Sequence, residues 1–130
     1  MNAELPITNI KAFVPAKDFE RSKRFYQDLG FTVASSEGGI AFLHVAECSF
    51  LLQDFYEKTH AECMQMHLLT PDVNAWWSHV QTAKIVERYA EFGVRTVAPQ
   101  LQPWGMLDFV IVDPSGVCWR IAENVPRHEQ

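Results

Sequence analysis

A helix-capping aspartate and a helix-ending glycine occur twice in this chain, each pair preceded by one strand-like run and followed by others. That duplication limits the fold more than any other feature. In the first half, residues 7–15 (ITNIKAFVP) are apolar and β-branched enough for a strand, and Asp18 then offers a side-chain oxygen to the free N–H groups of a helix start. Phe19, Ser22, Tyr26 and Leu29 recur at helical spacing, with Phe25 widening the stripe, and Gly30 suits the left-handed residue that closes many helices. A helix is therefore predicted from Asp18 to Leu29. Short strand-like runs follow at residues 31–34, 40–45 and 49–54, separated by residues 35–39 and 46–48.

The second half repeats the order. Residues 64–69 read as a strand, Asp72 as a cap, and Gly93 as the terminator before a strand at 94–97. AKDFERS stands against TPDVNAW, and LGFTV against FGVRTV. Val73, Trp76 or Trp77 and Val80 share one helical phase, whereas Ile85, Tyr89 and Phe92 share another, so the longer second helix should kink or break near Thr82 and Ala83. Residues 106–112, the turn Asp113-Pro114-Ser115-Gly116 and residues 117–122 form a closing hairpin. Residues 55–63 are polar and read as an exposed connection. The implied architecture is α+β: two tandem βαβββ modules, about 7–54 and 64–123, within one domain spanning 1–130. Neither small unit can cover both faces of its own sheet, so the two must pair, with curved mixed sheets around a cavity and helices outside.

Composition removes several classes of function. At 130 residues and 48% hydrophobic, the chain supports one ordinary core. A net charge of −5, with eleven basic residues scattered rather than clustered, excludes a nucleic-acid surface. No stretch approaches the roughly 18 apolar residues of a membrane span, and the N-terminus lacks a secretory pattern, so the expected location is cytoplasmic, away from membranes. Cys48, Cys63 and Cys118 are odd in number and contain no CxxC pair, which fits reduced thiols rather than disulfides or a zinc knuckle.

The run Asp18-Phe19-Glu20-Arg21-Ser22 with Phe25-Tyr26 and Leu29-Gly30-Phe31, its second copy Asp72-Val73-Asn74-Ala75-Trp76, and Pro103-Trp104-Gly105 ahead of Asp113-Pro114-Ser115-Gly116 together resemble the vicinal oxygen chelate superfamily. That group contains glyoxalase I, extradiol dioxygenases, fosfomycin-resistance enzymes and bleomycin-resistance proteins. The resemblance covers nearly the whole chain. It implies a homodimer, and in metal-dependent members it implies His, Gln or Glu ligands on facing inner strands. This sequence departs from that ligand pattern. Where the resemblance implies a histidine in the first strand stands Lys11, whose ammonium has no lone pair, and where it implies a glutamate in the last strand stands Arg120, whose fixed charge repels a cation. The end of the first module offers Phe50 or Leu52, and the fifth strand only Gln65 and His67, short of the three or so groups a catalytic metal needs.

The leading expectation is a ligand-sequestering protein similar to the bleomycin-resistance branch, with no cofactor. Its pocket residues would be Lys11, Phe13, His44, Phe50, Gln65, His67, Trp104, Phe109 and Arg120. Lys11 and Arg120 would favour a carboxylate, phosphate or phenolate on an aromatic ligand, unless each snorkels to water or pairs with an acid such as Asp108 or Glu123. Trp104, between Pro103 and Gly105, is either a stacking platform at the pocket mouth or a packing plug at the sheet edge. A rival reading is a lyase or dioxygenase with relocated ligands, His44, His67 and Glu123, holding divalent Zn, Ni, Fe or Mn. Strand alternation places Glu123 opposite Arg120 and opposes that set. A third is metal-free catalysis with Lys11 or His67 as general base, for which no orienting carboxylate is evident.

Overall fold

The computed structural model describes residues 4–126. Its strands form two four-stranded sheets of the same design. In the first, β1 (Phe13–Pro15), β2 (Thr32–Glu37), β3 (Ile40–Val45) and β4 (Cys48–Gln53) lie in the order β1-β4-β3-β2. In the second, β5 (Gln65–Leu69), β6 (Arg95–Leu101), β7 (Met106–Val112) and β8 (Cys118–Asn124) lie in the order β5-β8-β7-β6. The opening strand of each runs parallel to the last and the other neighbours are antiparallel. A parallel neighbour requires the chain to cross back over the sheet, which is where each module places its helix.

Those helices start and stop for local reasons. Asp18 accepts from the Arg21 N–H at 3.0 Å to open α1 (Phe19–Leu29), and Gly30, at φ 129°, closes it. Asp72 accepts from the Ala75 N–H at 3.1 Å to open α3 (Val73–Thr82). The predicted break follows: Lys84 sits in the left-handed region at φ 55°, and α4 (Ile85–Tyr89) begins on a new axis that buries Ile85 and Tyr89. A continuous helix would have turned one of the two apolar phases to water.

Three local expectations are corrected. Only Phe13–Pro15 of the first run pairs as a strand, because ladder bonds need a neighbour and Ile7 and Ile10, 75% and 84% exposed, find none. The separator at 35–39 is partly strand: a bulge between Val33 and Ser35 carries β2 on to Glu37, and Gly38-Gly39, both at positive φ, turn it into β3. The connection 55–63 contains α2 (Lys58–Cys63), capped by Glu57 onto the His60 N–H at 2.7 Å and anchored by buried Ala61.

The modules share one core. Phe25, Tyr26 and Leu29 of α1 are fully buried, each contributing on the order of 2 kcal/mol by removal from water. Tyr26, Phe31 and Phe50 of the first module meet Trp119 of the second at ring separations of 5.6, 5.6 and 5.2 Å. Polar contacts tie the same seam: Tyr89 and Arg88 donate to Asp28 at 2.5 and 2.7 Å, and the Lys17 N–H donates to Ser115 Oγ at 2.8 Å. The expected α+β pair of βαβββ modules is present. The two sheets join through their helix-bearing faces, so they do not close on one another within a single chain.

Candidate functional site

Each sheet leaves one face without a covering layer. Alternation along β3 and β4 buries Ala41, Leu43, Phe50 and Leu52 against the helix layer and turns Phe42, His44, Ser49 and Leu51 the other way. Cross-strand pairing aligns Phe13, Leu51 and Phe42 in a row across this open face, and the Lys11 ammonium lies 5.0 Å from the centre of the Phe42 ring. His44 stands next along β3, its ring 6.3 Å from that of Phe42. Lys11 forms no salt bridge among the described residues.

The open face of the second sheet carries Gln65, His67 and Leu69 from β5, Asp108 and Val110 from β7, and Arg120 from β8, with His67, Arg120 and Val110 in one cross-strand row. Arg120 is held from two sides. Its Nη1 donates to Asp108 Oδ2 at 3.2 Å and its Nε to Gln65 Oε1 at 3.3 Å. Asp108 itself is 2% exposed, and its second oxygen accepts from Gln102 Nε2 at 2.9 Å. The guanidinium carbon lies 5.9 Å from the Trp104 ring centre. Trp104, 58% exposed, occupies a tight turn in which the Gly105 N–H bonds the Gln102 carbonyl at 3.0 Å and Gly105 takes φ 88°. Tryptophan at this corner is held out to solvent by the turn rather than tucked into the sheet edge.

Set against the sequence-based expectations, Lys11, Phe13 and His44 gather on one open face, and Gln65, His67, Trp104 and Arg120 on the other. Phe50 and Phe109 are corrected: both are buried on the helix side, Phe50 in the aromatic core and Phe109 5.0 Å from Trp77. Trp76 packs toward Phe31, so both α3 tryptophans face inward. Glu123 is also on the helix side, accepting from the Val73 N–H at 2.9 Å at the start of α3. The set His44, His67 and Glu123 therefore lies on different faces, and among the described residues no three His, Cys, Asp or Glu groups converge as metal ligands. Sequence reasoning missed Phe42, Leu51 and Gln102 as neighbours of the site. It named Asp108 only as a possible partner of Arg120, although a lone carboxylate inside the apolar run MLDFVIV was a visible signal.

A second polar cluster lies at the seam between modules. Tyr26 donates to Asp113 Oδ2 at 2.5 Å, Trp119 Nε1 donates to the Tyr26 hydroxyl at 2.8 Å, and Asp113 Oδ1 accepts from the Ser115 and Val117 N–H groups at 2.8 and 2.9 Å. Burial pushes the Asp113 carboxyl up to about 6 against the pull of these donors, and burial beside Asp113 drives the Tyr26 phenol well above its ordinary range. This cluster is structural: it is sealed in the core, and it locks the Asp113-to-Gly116 turn of the second module onto α1 of the first.

Three comparisons with known proteins bear on the open faces. The sequence model of the Glyoxalase/Bleomycin resistance protein/Dioxygenase superfamily matches residues 9–121. A bleomycin resistance protein of Klebsiella pneumoniae is 26% identical over 115 residues, 85% of this chain and 88% of that protein. Among solved structures, a bleomycin-binding protein complexed with bleomycin shares the fold with a TM-score of 0.75 at 21% identity, covering 91% of this chain and 99% of that one. An antibiotic-binding protein from a Streptomyces species has a TM-score of 0.68 and 26% identity over 95% of this chain and 100% of its own. Among the described residues no helix is long and apolar enough to cross a membrane.

Proposed function

Because this chain belongs to the Glyoxalase/Bleomycin resistance protein/Dioxygenase superfamily, whose members range from enzymes to resistance proteins, we propose that it binds and holds a small molecule without converting it and without a metal. The observation that carries this reading is the chemistry of the open faces: two cations, Lys11 beside Phe42 and Arg120 beside Trp104, occupy the positions where the family resemblance implies donor groups in metal-dependent members. A cation cannot ligate a cation. The likeness to a bleomycin resistance protein and to an antibiotic-binding protein supports the same role. The ligand is aromatic and carries a carboxylate, phosphate or phenolate, which Lys11 receives, since its ammonium has no acidic partner among the described residues whereas the charge of Arg120 is matched by Asp108.

The functional unit is a homodimer. Phe13, Leu69, Val97, Leu101 and Trp104 are each about half exposed or more, large apolar side chains on the strands of the two sheets and the β6–β7 turn that a second copy would cover. A second copy placing its sheet over that of the first encloses a pocket between them. Size-exclusion chromatography with light scattering is expected to give twice the chain mass, and a monomer at all concentrations would overturn this.

Calorimetry tests binding directly, with a panel of glycopeptide antibiotics and small aromatic acids such as 2-naphthoate, run with and without chelator. Binding that survives chelation is expected, and no binder in either class, or loss on chelation, would sink the proposal. Lys11→Met should weaken an aromatic acid by roughly tenfold to a hundredfold, the worth of one hydrogen bond to a charged group. An unchanged affinity would remove Lys11 from the site.

A further inference from the structure

Asp108 is an unusual residue to find in this place. Its carboxylate is almost fully buried although it belongs to the open face of its sheet, and every polar contact it makes leads to a group at the proposed ligand surface. One oxygen takes Gln102, the first residue of the turn that carries Trp104, and the other takes Arg120, whose planar guanidinium stands beside the Trp104 ring. Gln65 adds a contact to Arg120 Nε from the neighbouring strand. Among the described residues Trp104 stacks on no other aromatic ring, and its neighbours include the turn beneath it and the guanidinium at its side.

We propose that Asp108 is a positioning residue for ligand recognition: by fixing both Arg120 and Gln102, it holds the Trp104 indole as a preset shelf on which a flat aromatic ligand stacks. This rests on the binding role proposed above. Two physical effects favour the arrangement. A long arginine side chain loses rotamer freedom when it binds, and anchoring it beforehand removes that loss from the binding step. A guanidinium held near an indole attracts the ring's electron-rich face, more so where water is partly excluded. The pairing also makes the shelf neutral, so charge selection falls to Lys11 on the other sheet, and stacking and charge recognition are separate functions of separate residues.

The test uses full-length protein labelled with 5-fluorotryptophan, in which four tryptophans give four fluorine resonances and Trp104→Phe identifies one of them. Asp108→Asn keeps the side-chain shape and removes the charge. Arg120→Lys keeps a charge for Asp108 but removes the planar group beside Trp104. In ligand-free protein both variants should sharpen the Trp104 resonance and shift it toward that of a solvent-exposed indole, while the other three stay in place. Affinity for 2-naphthoate should fall roughly fivefold in each, the scale of one cation–π contact and its lost preorganisation. A Trp104 resonance unchanged in both variants overturns the proposal, and so does movement of all four resonances together in both, which would make Asp108 a residue of the fold alone. If 2-naphthoate does not bind even wild-type protein, the binding reading fails while the fluorine spectra still decide whether Asp108 positions Trp104.

Discussion

Tyr26→Phe is expected to destabilise the folded protein by about 3–5 kcal/mol, although it removes a single oxygen atom. That hydroxyl accepts from Trp119 Nε1 and donates to Asp113 Oδ2, and all three side chains are buried. Without it, an indole N–H and a carboxylate oxygen lose their partners where water cannot replace them, and a buried unpaired group costs about 1–3 kcal/mol, more when charged. The phenylalanine ring itself keeps the edge contacts with Phe25, Phe31 and Phe50, so packing loss is not the cause. For a chain of this length, a melting temperature lower by about 10–15 °C follows. Calorimetric or fluorescence-monitored unfolding measures it, and a drop of under about 3 °C would show that the seam does not depend on this bond.

Stability should also depend on pH through Asp113. Its carboxyl is raised from 3.8 to about 6, chiefly by burial, so the folded state holds the proton more tightly than the unfolded chain does. A raised pKa contributes stability that is complete below about pH 4 and is lost as pH rises through about 6, on the order of 3 kcal/mol for this shift. Other carboxylates titrate in the same range, and the difference between wild type and Asp113→Asn isolates the group. Unfolding free energies measured between pH 4 and 7 are expected to fall less steeply in the variant. Parallel profiles would show that Asp113 titrates normally. Because the Tyr26 bond lowers the Asp113 value, Tyr26→Phe should carry the slope to higher pH.

How much of this was legible beforehand depended on the range of the interaction involved. The caps Asp18 and Asp72 and the stop at Gly30 follow from residues within four or five positions of one another, and local backbone chemistry sets them whatever surrounds the helix, whereas the break at Lys84 was legible from two apolar phases spread from Val73 to Phe92. The shortened β1 and the extra helix α2 were not legible, since each depends on whether a distant segment lies alongside.

Strand faces divide in the same way. Alternation correctly separates Glu123 from Arg120, but in β4 and β7, apolar on both sides, it does not say which side the helices cover. Phe50 and Phe109 were therefore expected in a pocket and lie in the core, and Phe42, not named for the pocket, lies on the open face.

The sequence by itself determined the duplicated module and its helix boundaries, because these follow from spacing and residue chemistry alone, whereas the place of Lys11 and Arg120 at metal-donor positions is what the family resemblance implies. Tertiary structure alone decided that the helix-bearing faces share one core around Tyr26 and Trp119, that the other faces stay open, and that Asp108 cancels the charge of Arg120 while Lys11 keeps its own. Those outcomes rest on which side chains meet across sheets and modules, and a pattern that repeats every two or 3.6 residues carries no record of such meetings.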